Sequence, residues 1–504
     1  MLFRSTRGAF LDMTFEEAVF EGLAPDGGLL VPHFVPDVTT KYKEWKDLSF
    51  DALAYEIAKL YVGDEIPEND LRELMRRSYS AAHWTDKEVV PTKKIGDTYI
   101  MEIFHGPTFA FKDVALQALG NLFEYFLKRS GQRITVVGAT SGDTGSAAIY
   151  GLRNKKGVEC FILFPEGRVS PIQQLQMTSV LDNNVHCVAV QGTFDDCQDI
   201  VKALFRDLKF KKTYSLGAVN SINFARIMFQ ITYYFYTYFK FFPNCDGEMS
   251  FSVPTGNFGD VLAGYYAKRM GLPVKHLVVA TNSNDILARF FKDGNYDKYP
   301  VLQTFSPSMD IGISSNFERY LFYLFGEDSK KLAAMMTQFN ETGRLACSPE
   351  QLDVARKDFL SACCSEQDTI EYIARFHKEY GYILDPHTAC GVAAVDQCRS
   401  QMAPESAKHK IIVLGTAHPA KFSAAVAKAI GSPPELPKGL ADMQGAEVRF
   451  QVLPAKVQVI QELIERTVPD ATGARNVYGA KHYGFLLTVA AASFAVGLAF
   501  SKKY

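Results

Sequence analysis

One lysine of this sequence has unusually apolar neighbours. Lys112 follows Phe109, Ala110 and Phe111 and precedes Asp113. Burial among such neighbours disfavours the ammonium form and leaves a nucleophilic amine, which can form a Schiff base with an aldehyde. The alternative is a solvated surface charge, because lysines are rarely buried without a partner. The rest of the chain has to decide between these two interpretations.

Two glycine-rich loops each follow a predicted strand and precede a predicted helix. The first loop follows a β-branched strand at residues 134–137 and precedes a helix from Ser146, and the second follows a strand at 250–253. Free backbone N–H groups at a helix start form a cradle for an anion such as a phosphate monoester. One such loop is a weak signal, because many connections need glycine to turn. Two, one in each half of the chain, are more than chance would supply.

A threonine and two histidines complete the candidate residues. Thr416 follows an apolar strand at 411–414, and ligands bind at the carboxyl ends of strands in open α/β sheets. His105 and His418 flank the proposed site in sequence. Each is either an acid or phosphate contact, or a structural histidine. A Schiff-base lysine, two anion cradles and a strand-end threonine together suit pyridoxal phosphate.

The elements that must position these residues alternate between strand and helix. Further strands are predicted at 160–164, 186–190 and 277–281, and helices after Lys112 and at 172–181, 195–208 and 222–242. This alternation predicts an α/β fold with a mainly parallel sheet and helices on both faces. Lys112 would lie near the start of its helix, where the dipole favours the neutral amine. The tyrosines of 222–242 are predicted to pack in the core or against another subunit.

Composition is that of an ordinary folded enzyme. The 504 residues exceed the size of one core, so we expect two or three domains. A formal net charge of -2 gives no reason to propose a nucleic-acid partner. Nine cysteines without a C-x-x-C pair fit neither a disulfide framework nor a zinc site, so we expect a reducing compartment and no metal. Residues 1–10 lack an apolar signal segment, and we expect a cytoplasmic protein.

An uncharged apolar segment occupies residues 485–500, between Lys481 and the pair Lys502-Lys503. As a helix it would span roughly 24 Å. That is short of the roughly 30 Å hydrocarbon core, but residues 483 and 484 can extend it. The segment either contacts an intracellular membrane as a cytosol-facing tail anchor or forms a buried or partner-facing helix. The oligomeric state, monomer or homodimer, stays open.

Six motifs taken together resemble the threonine synthase family in its longer, yeast-like form, within the fold type II pyridoxal-phosphate enzymes. The resemblance runs from Ser5 to about residue 440. It rests on these motifs: Ser5-Thr6-Arg7-Gly8, Ala24-Pro25-Asp26-Gly27-Gly28, His105-Gly106-Pro107-Thr108-Phe109-Ala110-Phe111-Lys112-Asp113, Thr140-Ser141-Gly142-Asp143-Thr144-Gly145, Asn220-Ser221-Ile222-Asn223 and Pro254-Thr255-Gly256-Asn257-Phe258-Gly259-Asp260.

The resemblance implies two open, mainly parallel sheets flanked by helices. It also implies four regions along the chain. These are an N-terminal lobe at 1–95, a subdomain with the lysine and substrate site at 96–250, a large cofactor domain at 251–440 and a C-terminal extension at 441–504.

The resemblance further implies a role for each candidate residue. Lys112 is the catalytic lysine, which binds the cofactor and then shuttles protons. The other cofactor-binding residues are Asp143, near the phenolic oxygen, Thr416, on the pyridine nitrogen, and the phosphate loop of Gly256, Asn257, Phe258 and Gly259, with Asp260 after it. The substrate carboxylate binds Ser141, Gly142 and Thr144, and the substrate phosphate binds Asn220, Ser221 and Arg226, whose bidentate fork suits a dianion. For Asn220 and Ser221 the alternative is helix capping.

The implied reaction converts O-phospho-L-homoserine and water to L-threonine and phosphate, by γ-elimination and β-addition of water. One alternative is a phospholyase, which releases 2-oxobutyrate, ammonia and phosphate from the same substrate. Another is a non-catalytic, membrane-tethered scaffold of the same fold. The intact loop at 254–260 favours the synthase, and the intact Lys112 argues against a scaffold.

Overall fold

The computed structural model describes residues 1–9 and 12–468. The apolar segment at 485–500 and the end of the predicted C-terminal extension lie outside these residues. Among the helices of the described residues, none combines the length and the apolar character needed to cross a bilayer.

Strands and helices alternate through most of the described chain, as the sequence predicts. The strands are β1 (Phe3–Ser5), β2 (Leu30–Pro32), β3 (Thr92–Ile95), β4 (Thr98–Glu102), β5 (Ile134–Ala139), β6 (Val158–Pro165), β7 (Val185–Gln191), β8 (Leu216–Gly217), β9 (Glu248–Pro254), β10 (Val274–Thr281), β11 (Asn295–Asp297), β12 (Arg344–Ala346), β13 (Phe359–Cys363), β14 (His409–Gly415) and β15 (Gln451–Pro454). The helices are α1 (Phe15–Glu21), α2 (Phe50–Val62), α3 (Glu68–Ser78), α4 (Lys112–Ser130), α5 (Asp143–Leu152), α6 (Pro171–Thr178), α7 (Phe194–Arg206), α8 (Leu208–Thr213), α9 (Phe224–Phe241), α10 (Gly259–Arg269), α11 (Ile286–Asp293), α12 (Phe317–Leu324), α13 (Ser329–Thr342), α14 (Pro349–Asp358), α15 (Glu366–Tyr380), α16 (Pro386–Cys398), α17 (Ser423–Ile430), α18 (Lys438–Ala441) and α19 (Val457–Thr467).

Two open sheets form the body of the molecule. One has the strand order β13-β10-β9-β14-β4-β3 and is parallel except for β3, which pairs antiparallel with β4. The other has the order β15-β7-β6-β5-β8 and is parallel throughout. Two small antiparallel pairs, β1-β2 and β11-β12, lie outside them. The prediction of two open, mainly parallel sheets is confirmed.

The chain passes between the sheets more often than the predicted regions imply. Strand β4, from the 96–250 region, pairs with β14 of the six-stranded sheet, and β15, from the 441–504 region, pairs with β7 of the five-stranded sheet. Such pairings join strands distant in sequence, so local patterns do not contain them. The division into four regions stays a prediction.

Helix α9 runs through the core. Its tyrosines 233, 234 and 238 have no exposed surface, which confirms the prediction that they pack rather than form a ligand platform. Helices α4 and α5 approach each other through glycines: a Cβ on Gly120 would lie 1.9 Å from the carbonyl oxygen of Gly151. Because α4 begins at Lys112 and α5 at Asp143, this close contact brings two candidate residues to neighbouring helix starts.

Candidate active site

Lys112 is the first residue of α4 and is almost enclosed. Its side chain is 10% exposed, and Nζ lies 3.9 Å from Oδ2 of Asp143 and 4.6 Å from the ring centre of Phe111. Burial lowers the pKa of Lys112 to about 8; Asp143 opposes this shift, whereas the charges of Arg226 and Lys421 add to it. The predicted burial of the lysine is therefore present, but its surroundings include charged groups as well as the ring of Phe111.

Asp143 begins α5 and is the most highly connected carboxylate near Lys112. Its Oδ1 accepts hydrogen bonds from Gln173 Nε2 at 2.7 Å and pairs with Lys421 Nζ at 2.8 Å, while Oδ2 accepts from Ser308 Oγ at 3.4 Å. Burial alone would raise the pKa of Asp143, but the charges of Lys421 and Lys112 outweigh it and hold the pKa well below its usual value. Asp143 is therefore ionised at neutral pH.

The first glycine-rich loop is shorter than predicted. Helix α5 begins at Asp143 and not at Ser146, because Gly142 takes a φ of 147° that lets the chain turn directly into the helix. Thr140 holds the loop, since its Oγ1 accepts the N–H groups of Gly142 and Gly145, both at 2.9 Å. Ser141 is exposed and Thr144 is half-buried, so both predicted substrate contacts remain reachable.

The second loop, at 256–259, has the form of an anion cradle. A Cβ on Gly256 would lie 2.8 Å from the carbonyl oxygen of Ser308, so only glycine fits there. Phe258 has a φ of 61° and precedes Gly259, the first residue of α10. Within the described part of the chain, no side chain caps the start of this helix. Its first N–H groups are therefore available to an anion.

Two residues of this loop have protein partners as well. Asn257 accepts a hydrogen bond from Ser315 Oγ at 3.3 Å through Oδ1. Asp260 is buried and accepts hydrogen bonds from the hydroxyls of Tyr233 and Tyr234. Burial raises the pKa of Asp260 to about 6, and the two tyrosines oppose the shift. The side chain of Asp260 thus ties α10 to α9, and its predicted cofactor contact stays a prediction.

Thr416 lies just beyond the end of β14 and next to the segment that carries Lys112. Its carbonyl oxygen accepts the N–H of Phe111 at 2.9 Å, and its own N–H donates to Thr388 Oγ1 at 3.3 Å. The residue is 5% exposed. Its hydroxyl has no hydrogen-bond partner among the described residues, which leaves it free for a ligand nitrogen.

Arg226 is a buried cation with an unused donor. Its residue is 4% exposed, and NH1 donates to the carbonyl oxygen of Val219 at 3.3 Å. Its buried Nε has no partner among the described residues. Burial lowers the pKa of Arg226 to about 10, so it stays charged at neutral pH. An unpaired buried guanidinium donor beside Lys112 fits an anionic ligand.

The loop before α9 excludes one of the two interpretations of Asn220 and Ser221, and their predicted contact with the substrate phosphate stays a prediction. The helix cap is Asn223, whose Oδ1 accepts the N–H of Ala225 at 3.1 Å, so the capping alternative for Asn220 and Ser221 is wrong. A second hydrogen bond holds Asn223 in the cap position, because its Nδ2 donates to the carbonyl oxygen of Val19 at 2.7 Å. Asn220 is exposed, and Ser221 Oγ lies 3.3 Å from Ser315 Oγ. Through Ser315 this loop reaches Asn257.

The two candidate histidines fit the structural interpretation. The Nε2 of His105 lies 2.8 Å from Glu102 Oε2, and its Nδ1 lies 3.1 Å from Thr85 Oγ1. Nδ1 of His418 accepts the N–H of Ala420 at 3.2 Å. Burial lowers the pKa of His418 to about 4, so it is neutral at physiological pH and a poor proton donor.

The sequence-based prediction did not include several residues of the site, among them Lys421 and Ser308. Lys421 has a side chain with no exposed surface and pairs with Asp143. A signal was available, because Lys421 lies in an apolar context, Pro419-Ala420-Lys421-Phe422, much as Lys112 does. Ser308 belongs to the region 296–365, which carried no prediction of chemistry. No local pattern could have indicated that this residue meets both Gly256 and Asp143.

The residues present fit pyridoxal phosphate. This cofactor needs a nearly enclosed amine of lowered pKa, a helix start with a glycine in close contact and a hydroxyl for its ring nitrogen. Lys112, the loop at 256–259 and Thr416 supply these groups, and among residues 1–9 and 12–468 neither the helix start nor the hydroxyl has another side-chain partner. Among the described residues, no group of three or more His, Cys, Asp or Glu side chains could hold a metal ion.

Comparison with known proteins gives one consistent result. Family models match at residues 2–79 (threonine synthase N terminus), 92–350 (pyridoxal-phosphate dependent enzyme) and 388–464 (threonine synthase, C-terminal). The chain is 50% identical to the threonine synthase of Schizosaccharomyces pombe over 461 residues, which is 85% of this chain and 89% of that protein.

Two solved structures are similar over nearly the whole chain. The pyridoxal-phosphate-bound threonine synthase of Brucella melitensis superposes with a TM-score of 0.88 at 41% identity, covering 94% of this chain and 99% of that one. The threonine synthase of yeast superposes with a TM-score of 0.87 at 45% identity, covering 92% and 98%.

Proposed function

The chain belongs to the threonine synthase family of pyridoxal-phosphate-dependent enzymes, and from this premise we propose that it converts O-phospho-L-homoserine and water to L-threonine and phosphate. One observation supports this function best. Two separate groups suited to anions lie near Lys112: the helix start at 256–259, and the guanidinium of Arg226, whose Nε has no partner among the described residues. A phosphorylated cofactor and a phosphorylated substrate require such a pair.

The cofactor would be held by residues of several elements. Lys112 would bind it covalently through its amine, the loop at 256–259 would bind its phosphate, and Thr416 would donate to or accept from its ring nitrogen. Bound pyridoxal phosphate supplies an electron-withdrawing ring that takes up negative charge from the reacting carbon. Asp143, ionised and close to Lys112, would face the polar edge of the ring.

The substrate would be positioned by two loops. The N–H groups and hydroxyls of Ser141, Gly142 and Thr144 suit the carboxylate, at the start of α5. The side chains of Asn220, Ser221 and Arg226 suit the phosphate. Because the hydrogen bonds from Ser221 to Ser315 and from Ser315 to Asn257 connect the two phosphate regions, the position of one is tied to the other.

Lys112 would then move protons. With a pKa of about 8, a much larger fraction of its amine is neutral at pH 7 than for an exposed lysine, so it can take the α-proton of the substrate. A β-proton and the phosphate on the γ-carbon would then leave, a proton would return to the γ-carbon, water would add its hydroxyl at the β-carbon, and a proton would return to the α-carbon. The site's part is to hold the substrate carboxylate and phosphate while Lys112 works between them.

The product decides between the synthase and the phospholyase. Purified protein incubated with O-phospho-L-homoserine should yield threonine and phosphate in equal amounts, with little 2-oxobutyrate. Lys112→Ala should yield neither product. Release of 2-oxobutyrate and ammonia instead of threonine would overturn the synthase and support the phospholyase.

Covalent attachment at Lys112 is tested separately. Borohydride reduction of the protein with its cofactor, followed by peptide mapping, should place the label on Lys112. A protein that gives no labelled Lys112 peptide and turns over no substrate would be the scaffold named as the second alternative.

We further propose that residues 485–500 contact a membrane from the cytosolic side. The support is their uncharged apolar composition between flanking lysines. Full-length protein expressed in a eukaryotic cell should then be recovered with membranes, while a version that ends at Gly484 should be recovered in the supernatant. Equal recovery of both in the supernatant would favour the buried or partner-facing helix.

A further inference from the structure

Asp143 lies between two buried lysines, and its two oxygens are used differently. Oδ1 pairs with Lys421 Nζ at 2.8 Å and accepts from Gln173 at 2.7 Å. Oδ2 lies 3.9 Å from Lys112 Nζ, beyond direct hydrogen-bond distance. The closer partner of the carboxylate is therefore Lys421 and not the lysine proposed to bind the cofactor.

The ammonium of Lys421 has a second partner besides Asp143. Its Nζ donates to the carbonyl oxygen of Thr108 at 2.6 Å, and its side chain has no exposed surface. Thr108 belongs to the segment that leads into α4, so Lys421 joins Asp143 to the backbone just before Lys112. An ammonium so completely enclosed is stable only because both acceptors are in place.

The other charges around the two amines are few. Lys112 interacts electrostatically with Arg226 of α9, with Asp113 of its own helix and with Asp260 of α10. Asp113 accepts the N–H and the hydroxyl of Thr108, at 2.8 and 2.7 Å, and burial raises its pKa to about 6. Lys421 acts on Asp143, on Asp113 and on His418.

We propose that Lys421 is a positioning residue. Its ammonium neutralises the carboxylate of Asp143, and the amine of Lys112 is therefore left without a full counter-ion. The inference rests on the proposed function, in which Lys112 must react as a neutral amine. If Asp143 had only Lys112 as a cationic partner, the pair would hold Lys112 as an ammonium. With Lys421 at the nearer oxygen, the carboxylate is already neutralised, and Lys112 is the lysine that releases its proton.

The direction of the effect follows from charge. Replacing Lys421 with methionine removes a positive charge near Lys112 and frees the charge of Asp143 to act on Lys112 alone. Both changes favour the ammonium, so the pKa of Lys112 should rise in Lys421→Met. Lys421→Arg keeps the charge and a donor for Asp143 and should restore most of the original value.

The test measures the amine itself rather than turnover. The full chain, stripped of cofactor, is treated with a trace of acetic anhydride at a series of pH values, and acetylation of Lys112 is followed by peptide mass spectrometry. The midpoint for Lys112 should move up by about one pH unit in Lys421→Met. Lys421→Arg should return it to within a few tenths of a unit.

Gln173 provides a matched control. It donates to the same Oδ1 atom at 2.7 Å but carries no charge. If Lys421 acts through charge, Gln173→Leu leaves the acetylation midpoint of Lys112 unchanged. A Gln173→Leu shift as large as that of Lys421→Met would mean that Lys421 only holds the carboxylate in place, and an unchanged midpoint in Lys421→Met would overturn the proposal outright.

Two further arms keep the result interpretable. Should Lys421→Met fail to fold, as judged by near-ultraviolet circular dichroism, Lys421→Gln supplies a neutral donor for the same comparison. Borohydride labelling of Lys112 is measured on the same wild-type protein. If the acetylation midpoint shifts but borohydride does not label Lys112, the proposed role of Lys421 is supported and the proposed function is overturned.

Discussion

At the scale of single residues, the site consists of charged groups that are buried, and their burial costs free energy of folding. Lys112, Asp143, Arg226 and Lys421 are all buried, and Nε of Arg226 has no partner in the part of the chain that the structure describes. Burying a charge without full compensation costs free energy, so such residues persist where a ligand will complete them. Stability and function should therefore respond to mutation in opposite directions.

Lys112→Met should stabilise the cofactor-free protein at neutral pH. The pKa of Lys112 falls from 10.5 to about 8 in the folded chain, so below pH 8 folding must retain an unfavourable ammonium. At pH 7 the free energy of unfolding of the variant should exceed that of the wild type by on the order of 3 kcal/mol at most. The advantage should shrink as the pH rises from 8 towards 10.5, because the folded wild type then loses its proton first.

Urea unfolding of the stripped protein at pH 7 and pH 10 measures this difference. Lys438→Met is the control, since that side chain is 86% exposed and should change stability little at either pH. An advantage of Lys112→Met that does not vary with pH would contradict the explanation by charge burial.

Arg226→Met should bind substrate poorly without losing stability. The methionine removes a buried guanidinium whose Nε has no partner among the described residues, so the free energy of unfolding should stay the same or increase. KM for O-phospho-L-homoserine should rise about a hundredfold, as expected for the loss of charged hydrogen bonds to the phosphate. Steady-state kinetics with thermal unfolding separates the two effects, and an unchanged KM would remove Arg226 from the substrate site.

At the scale of elements, the start of a helix is where this protein places its chemistry. Helices α4, α5 and α10 begin at Lys112, Asp143 and Gly259, and in none of the three does the side chain of the N-cap residue accept a hydrogen bond from the helix. At α5 the hydroxyl of Thr140 accepts the N–H of Gly145 instead. Helix α9 differs, because Asn223 caps it. The backbone N–H groups at these three starts that no described side chain accepts are available to ligands, while the capped start of α9 serves the fold.

Asn223→Ala should therefore lower the stability of the protein, whereas Asn220→Ala should affect substrate binding alone. Asn223 caps α9 and bonds the carbonyl oxygen of Val19, so its loss should cost about 2 kcal/mol in the free energy of unfolding. Asn220 is exposed and does neither, so Asn220→Ala should leave stability unchanged and raise KM. Denaturant titration and steady-state kinetics on both variants give the comparison; a stability loss in Asn220→Ala would revive the capping interpretation.

At the scale of the whole molecule, one buried arginine connects the N-terminal part of the chain to both phosphate regions. Arg319 has no exposed surface; its Nε donates to the carbonyl oxygen of Leu30 at 2.9 Å and NH2 to that of Ile222 at 2.6 Å. NH1 donates to Asn316, whose Nδ2 bonds the carbonyl oxygen of Asn257 at 3.0 Å. The early Ser5-Thr6-Arg7-Gly8 motif adds an ion pair between Arg7 and Glu318, next to Arg319.

Arg319→Met should destabilise the protein far more than Arg7→Met. The first change leaves several buried acceptors unpaired and should cost roughly 3 to 5 kcal/mol. The second breaks a partly exposed ion pair, with Arg7 22% exposed, and should cost about 1 kcal/mol. Calorimetric unfolding measures both. Equal losses would mean that the connection through Arg319 does not carry the stability of this region.

Local patterns along the chain determined much of this protein. The apolar context of Lys112, the glycine loops at 140–145 and 254–260 and the strand before Thr416 are all short-range features, set by backbone geometry and burial over a few residues. They sufficed to predict parallel α/β sheets and a cofactor site. They did not predict where α5 begins, because the unusual φ of Gly142 is not visible in the residue types.

Only the tertiary structure decided how distant segments meet. The contact of Asp143 with Lys421 joins positions separated by 278 residues, and its contact with Ser308 spans 165. The pairing of β15 with β7 and the choice of Asn223 over Asn220 as a cap also depend on partners far along the chain. Such choices are set by which surfaces can be buried together, and this depends on the packing of the whole chain rather than on any local spacing of residues.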